Sequence, residues 1–179
     1  AGLGAIRNAT TQAIESVVLG YSNEGTVETS GLDFNINTSF DLNELGGLRS
    51  NLQISYLRDY IIDGGDLNYI GTEGTPEYRG VLANIYSIGD FDIAWNMNII
   101  SDTASGFDEN GNPDGHIPHW ITNDLQVNYN TPWNARVSVG AQNIGGKLPP
   151  LYAFDGRDYN FNLYDGYGRT VYARYTQSF

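Results

Sequence analysis

The sequence predicts an all-β, antiparallel chain of the transmembrane β-barrel type, and three observations carry that reading. Apolar and polar residues alternate with period two through most of the 179 residues, which places successive side chains on opposite faces of a strand. Helical spacing is nearly absent. The connections between the alternating runs are by turns short and long, a parity that a soluble sandwich has no reason to keep.

A weak run from Ala13 to Tyr21 is a candidate eighth strand. From Gly31 to Leu42 one face reads Leu32, Phe34, Ile36, Thr38, Phe40, Leu42 and the other Asp33, Asn35, Asn37, Ser39, Asp41. From Leu48 to Tyr60 the apolar face is Leu48, Ser50, Leu52, Ile54, Tyr56, Arg58, Tyr60. Glu77 to Ile88 reads as a strand, but its facing is ambiguous between Val81, Ala83, Ile85 and Leu82, Asn84, Tyr86. Phe91, Ile93, Trp95, Met97 and Ile99 alternate with Asp92, Ala94, Asn96 and Asn98. Ile121–Tyr129 and Ala135–Ala141 repeat the pattern, and Arg169–Phe179 alternates more loosely. The short connections are Asn43–Gly47, Ser87–Asp90 and Asn130–Asn134; the long ones are Ile61–Pro76, Ser101–His119 and Gly145–Tyr167.

The apolar faces of the five cleanest strands carry one charge, Arg58, near a strand end. A water-soluble sheet would also segregate apolar from polar, so the kind of polar residue matters more. The reverse faces hold Asn, Gln, Ser and Asp with almost no lysine or glutamate, which suits a wet lumen. Aromatics gather at strand ends, with Phe40, Tyr86, Phe91, Tyr129 and Trp133 at one end and Tyr56 and Tyr60 at the other. Such girdles mark the apolar–polar boundaries of an outer-membrane barrel. Arg58 on a lipid face costs roughly 2–4 kcal/mol at the midplane but about 0–1 near the interface. Short turns on one side and long loops on the other are the same architecture's signature, with the turns periplasmic and the loops extracellular. Phe179 then ends on the periplasmic side.

Composition agrees. No apolar run reaches the roughly 18 residues of a membrane helix, which excludes helical membrane proteins only. No cysteine is present, so disulfides and thiolate metal sites are ruled out. Lysine and arginine total 9 against 21 acids, a net charge of −12, which argues against nucleic acid as a partner.

Four stretches carry a resemblance. They are VETSGLDFNI (Val27 to Ile36), NDLQVNYNTPW (Asn123 to Trp133), VGAQNIGGKLPP (Val139 to Pro150) and YDGYGRTVYARYTQSF (Tyr164 to Phe179). Their order and spacing resemble the carboxy-terminal part of a TonB-dependent outer-membrane receptor, with the closing stretch the most specific. Ala141-Gln142-Asn143-Ile144, Pro149-Pro150, Tyr164-Asp165, Gly168-Arg169 and Phe179 match that family's pattern; Gln177 departs from it, where an apolar or aromatic residue is usual. The resemblance implies the last strands, about eight of them, of a 22-stranded barrel whose lumen is plugged. Plug domain and TonB box are not recognisable in residues 1–179.

It further implies active transport of a scarce nutrient (siderophore iron, cobalamin, haem or oligosaccharide), driven through TonB acting on the plug, in the outer membrane of a Gram-negative bacterium. The implied partners are outer-membrane lipid and lipopolysaccharide, the rest of the receptor's barrel and plug, and the barrel assembly machinery. That machinery would read an assembly signal at Tyr175 and Phe179. Two other readings stay open: a standalone eight-stranded barrel with a structural or adhesive role, and a secreted carbohydrate-binding sandwich.

The long loops hold ten acids against Lys147 and Arg157, so eight of the twelve net negative charges lie there. They read either as a solvated rim or as a trap for a cationic ligand. Trp120, Tyr152, Phe154 and Tyr159, with Asp155, Arg157 and Asp158, are the ligand-binding candidates: aromatic faces stack and the charged groups hydrogen-bond. The alternative is that the rings pack the last loop over the barrel mouth. Asp108–Gly115 (DENGNPDG) looks like a calcium loop, yet Pro113 and His119 stand where an EF-hand needs Gly and Glu. Asp108, Asp114 and His116 are weak metal candidates, and no cofactor is implied. Both histidines share one loop, and no carboxylate pair is desolvated enough to act as an acid–base pair. The chain is not read as an enzyme.

Overall fold

The computed structural model describes residues 4–18, 25–152 and 156–178. Eleven strands follow in chain order: β1 (Gly4–Arg7), β2 (Ile14–Val18), β3 (Val27–Asp41), β4 (Gly47–Ile62), β5 (Tyr78–Ile88), β6 (Phe91–Ile100), β7 (Gly106–Phe107), β8 (Pro113–Asp114), β9 (Trp120–Asn130), β10 (Ala135–Gln142) and β11 (Thr170–Gln177). Seven of them form one antiparallel sheet in the order β11-β10-β9-β6-β5-β4-β3. Each strand of this sheet pairs with its neighbour in sequence, apart from the small β7–β8 hairpin inserted between β6 and β9. The edge strands β3 and β11 do not pair with each other, so the sheet remains an open wall. The candidate eighth strand is present as β2, but it pairs with β1 in a separate hairpin; residues 19–21 of that candidate lie outside the described residues.

The predicted parity of connections holds. Residues 42–46, 89–90 and 131–134 turn tightly, whereas 63–77, 101–119 and 143–169 are long. Short turns need backbone conformations that few residues accept: Asn43 and Asn134 adopt positive φ, as do Gly46 and Gly89.

Register settles what alternation left open. Leu52 pairs with Leu82 and Leu48 with Tyr86, so Leu82, Asn84 and Tyr86 share the apolar face, while Arg79, Val81, Ala83 and Ile85 share the polar one. One expectation is corrected by a bulge. Gly31 pairs with Leu57 but Ser30 with Asp59, so Arg58 is the extra residue and alternation breaks there. Past it, Tyr60 lies opposite Thr29, on the polar face, and the Tyr56/Tyr60 aromatic set is split. Glycine is needed at the bulge because a Cβ on Gly31 would stand 2.4 Å from the Tyr56 carbonyl oxygen.

The wall has no core of its own. On its apolar face Leu32, Phe34, Ile36 and Phe40 are each more than half exposed. The polar face is held by side-chain hydrogen bonds running across strands. Asn51 donates to Asn35 and Asn37, Ser138 to Asn128 and Tyr172 to Gln126. Arg136 reaches Asp92 over the intervening β9 at 2.8 Å. Tyr172 also lies over Gly140, where a Cβ would come within 2.6 Å of its hydroxyl. At the short-turn end Phe91 stacks on Tyr129, with ring centroids 4.9 Å apart.

Candidate ligand site at the long-loop end

The buried apolar cluster of the described residues lies where the long loops meet the wall. Ile100, at the end of β6, packs with Ile117, Trp120 and Tyr164, and Tyr152, Tyr159 and Leu163 lie against them. Trp120 and Tyr164 meet edge to face with centroids 5.7 Å apart. The three long loops interlock around this cluster. The Ala104 amide donates to the Gly71 carbonyl at 2.7 Å, Tyr69 meets Phe107 edge-on, and Lys147 Nζ donates to the His119 carbonyl at 3.2 Å. Three loops that read as separate excursions therefore form one cap.

Burial perturbs the cap's acids. Glu73 is pushed above the usual carboxylate range by desolvation. The Tyr152 phenol is pushed up to about 12, first by burial and then by the neighbouring Tyr164 and Glu73. Burial also raises Tyr164. Among the described residues, the Trp120 Nε1 and Tyr164 hydroxyl groups are buried with no hydrogen-bond partner.

Under the cap, on the polar face, lies a hollow of about 580 Å³. Gln53, Arg79, Asn98, Thr122 and Asp124 contribute from the wall, and Leu163 and Asp165 from the third loop. Asp124 is ordered by the Asn143 amide at 2.7 Å and by Asn98 at 3.3 Å. Both signs of charge and several amides face one space, which suits a polar, hydrogen-bonding ligand.

The sequence candidates divide. Trp120 is 7% exposed, so it offers no free face, and Tyr152 and Tyr159 pack against the same cluster. Arg157 is exposed, with its guanidinium 3.9 Å above the Phe161 ring, and Asp158 accepts the Tyr152 amide through its backbone carbonyl. Phe154, Asp155 and Phe179 lie outside the described residues. Arg79, Asp124 and Asp165 are the wall and loop charges that the aromatic-centred reading missed. The signal was available: Arg79 and Asp124 stand near the long-loop ends of their strands.

Asp108 caps its own loop tip. Its carboxylate accepts the amides of Asn110 and Asn112, both at 2.8 Å, and these bonds lower its pKa. Asp114 and His116 are exposed in the same loop. Among the described residues no three acidic or imidazole side chains stand close enough to hold a metal ion.

An antiparallel wall with one amide-rich face, one exposed apolar face and all large loops at one end is a piece of a transmembrane β-barrel. The chain belongs to a particular family of these: the family model described as TonB dependent receptor-like, beta-barrel, matches residues 3–144. That family consists of outer-membrane nutrient receptors rather than enzymes, and it works with a plug and TonB. No curated protein and no solved structure matches the chain. The matched span ends at the start of the third long loop, so the Tyr164–Phe179 motif lies beyond it.

Proposed function

We propose that this chain forms part of the wall and the outer mouth of a TonB-dependent active transporter, with its long loops extracellular and its short turns periplasmic. The observation that carries the reading is the capped polar hollow at the long-loop end. It is a vestibule in which a nutrient is held before the plug, pulled by TonB, opens the lumen. The amides of Gln53 and Asn98 supply hydrogen bonds, and Arg79, Asp124 and Asp165 supply charge. Arg157, Asp158 and Phe161 add contacts at the rim, with Phe154 and Asp155 as further rim candidates. Tyr175, which is exposed on the apolar face of β11, and Phe179 form the assembly signal. Gln177, which departs from that signal, donates through its amide to the carbonyl oxygens of Trp133 and Asn134 and ties the last strand to the β9–β10 turn.

The test is uptake of labelled siderophore-iron, cobalamin, haem and oligosaccharide by cells expressing the receptor, with and without TonB. Accumulation of one of them only with TonB, reduced by Arg79→Ala or Asp124→Asn, supports the proposal. Uptake of none, or equal uptake without TonB, overturns it. Phe179→Asp should separately abolish outer-membrane assembly, read as loss of heat-modifiable migration on a gel.

A further inference from the structure

The third long loop borders two hollows. One is the hollow of about 580 Å³ under the cap, between loop and wall. The other, of about 680 Å³, is lined by the loop alone, with Tyr159, Phe161, Asn162 and Tyr167 around it. Leu163 and Asp165 line both, so the two spaces adjoin across one short stretch of chain. Their chemistry differs. The hollow under the cap presents the amides of Gln53, Asn98 and Gln142 and the hydroxyl of Thr122, with one guanidinium and two carboxylates. The second hollow is aromatic. Tyr167 is 90% exposed and Phe161 47%, and Asn162 and Asp165 supply the polar groups beside them.

Aromatic faces at the entrance to an amide-rich space suit a ligand that is apolar across one face and polar at its edges. A sugar ring has that form, because its C–H groups lie against an aromatic face while its hydroxyls point outward. A hydroxyl both donates and accepts, so it serves the amides, Asp124 and Arg79 alike. Charge narrows the class further. The long loops carry a net −8, and the hollow under the cap holds one arginine against two aspartates, so an anionic ligand is repelled. A cation gains little in exchange. Asp124 already accepts the Asn143 amide and Asn98, and Asp165 accepts the Tyr167 amide at 2.9 Å. We infer that the ligand of this site is a neutral oligosaccharide. One sugar unit lies on Tyr167 beside Phe161, and the next passes Asp165 to the amides under the cap. The inference rests on the transporter reading and adds to it the ligand's chemical class and the division of the site into an aromatic outer and an amide inner subsite.

The test uses the whole receptor, purified in detergent. It is probed with an array of neutral and anionic oligosaccharides of increasing length, and with a ferric tris-catecholate, haem and cyanocobalamin. A neutral oligosaccharide should bind, with an affinity that rises with chain length until both subsites are filled. Tyr167→Ala should lower the affinity of the longer chains several-fold and leave that of the shortest binder unchanged, whereas Asn98→Ala should weaken every length. Heat-modifiable migration reports barrel assembly for each variant. Preference for an anionic glycan or for one of the three non-sugar ligands overturns the inference. So does binding of no neutral oligosaccharide, or an equal loss at all lengths in an assembled Tyr167→Ala variant. Should that variant fail to assemble, the unaltered receptor decides, and an affinity independent of chain length overturns the inference. Uptake with and without TonB keeps the two readings apart. TonB-dependent uptake of a non-sugar ligand removes only the sugar assignment, and a bound neutral sugar taken up equally without TonB removes the transporter reading.

Discussion

The wall and the cap solve the same problem with opposite means. In the cap, side chains from three loops bury one another: Ile117 is 2% exposed and Tyr164 3%, much as in a soluble core. In the wall, the 15-residue β3 and the 16-residue β4 bury no residue on either face, and the register is held by backbone ladders and lumenal amide networks. Leu32 and Phe34 face outward because their solvent is lipid, so the burial that a soluble sheet obtains from a second layer comes here from the membrane. Cohesion of the cap is thus internal to the chain, while that of the wall depends on its surroundings. Substitutions in the two regions should respond differently to detergent, bilayer and pH.

The largest effect is expected in the cap. Trp120→Ala removes the centre of the buried cluster and should cost about 3–5 kcal/mol there, read as faster hydrogen exchange in residues 101–119 and 156–169 with β3 and β4 unaffected. Equal loss of protection throughout the wall would mean that cap and wall are one cooperative unit. Next is the wall's lipid face. Ile36→Arg should destabilise folding into vesicles by about 2–4 kcal/mol if the residue lies near the midplane, whereas Asn35→Arg, one residue along on the lumenal face, should be nearly neutral. Similar penalties at both positions would break the assignment of faces.

A pH titration gives a smaller and more local signal. The fold holds the Tyr152 phenol up at about 12, so the packed cap keeps a proton that an opened loop releases near the ordinary value of 10.0. Cap stability is therefore level below about pH 10 and falls as the pH rises from there toward 12. Proteolysis of the third loop should increase over that window and much less so in Tyr152→Phe. Glu73 works in the same direction at acid pH. Its raised value means the cap gains stability as the pH falls through it, a dependence that Glu73→Gln removes. The smallest effect belongs to the wall's ion pair. Arg136→Ala breaks a partly exposed contact to Asp92 and should cost about 0.2–1 kcal/mol in urea-induced unfolding from vesicles.

Much of the wall was legible in the sequence because the polar–apolar period of a strand is a one-dimensional signal. Phe91–Ile99 was readable to within a residue of β6, and Ala135–Ala141 to within a residue of β10. Where both faces of a strand carry mixed residues the signal vanishes, as on β5: Asn84 shares a face with Leu82, and Ile85 with Arg79. Only pairing to Leu52 and Leu48 settles which side is which. A bulge is equally invisible, because the break at Arg58 shows only against β3. The candidate site was half legible. Trp120, Tyr152 and Tyr159 were identifiable as a group, but whether the rings stack on a ligand or on one another depends on how three loops close together.

By itself, then, the sequence determined the strand periods, the faces of most strands, the parity of turns and loops, and the family, since all of these are written in local alternation and in motif spacing. Tertiary structure alone decided the facing of β5, the position of Tyr60, the union of the long loops into one cap, and the gathering of Arg79, Asp124 and Asp165 around one hollow. Those features depend on contacts between residues tens of positions apart, whose register is set by hydrogen bonding across strands and whose burial is set by neighbours that no local pattern names.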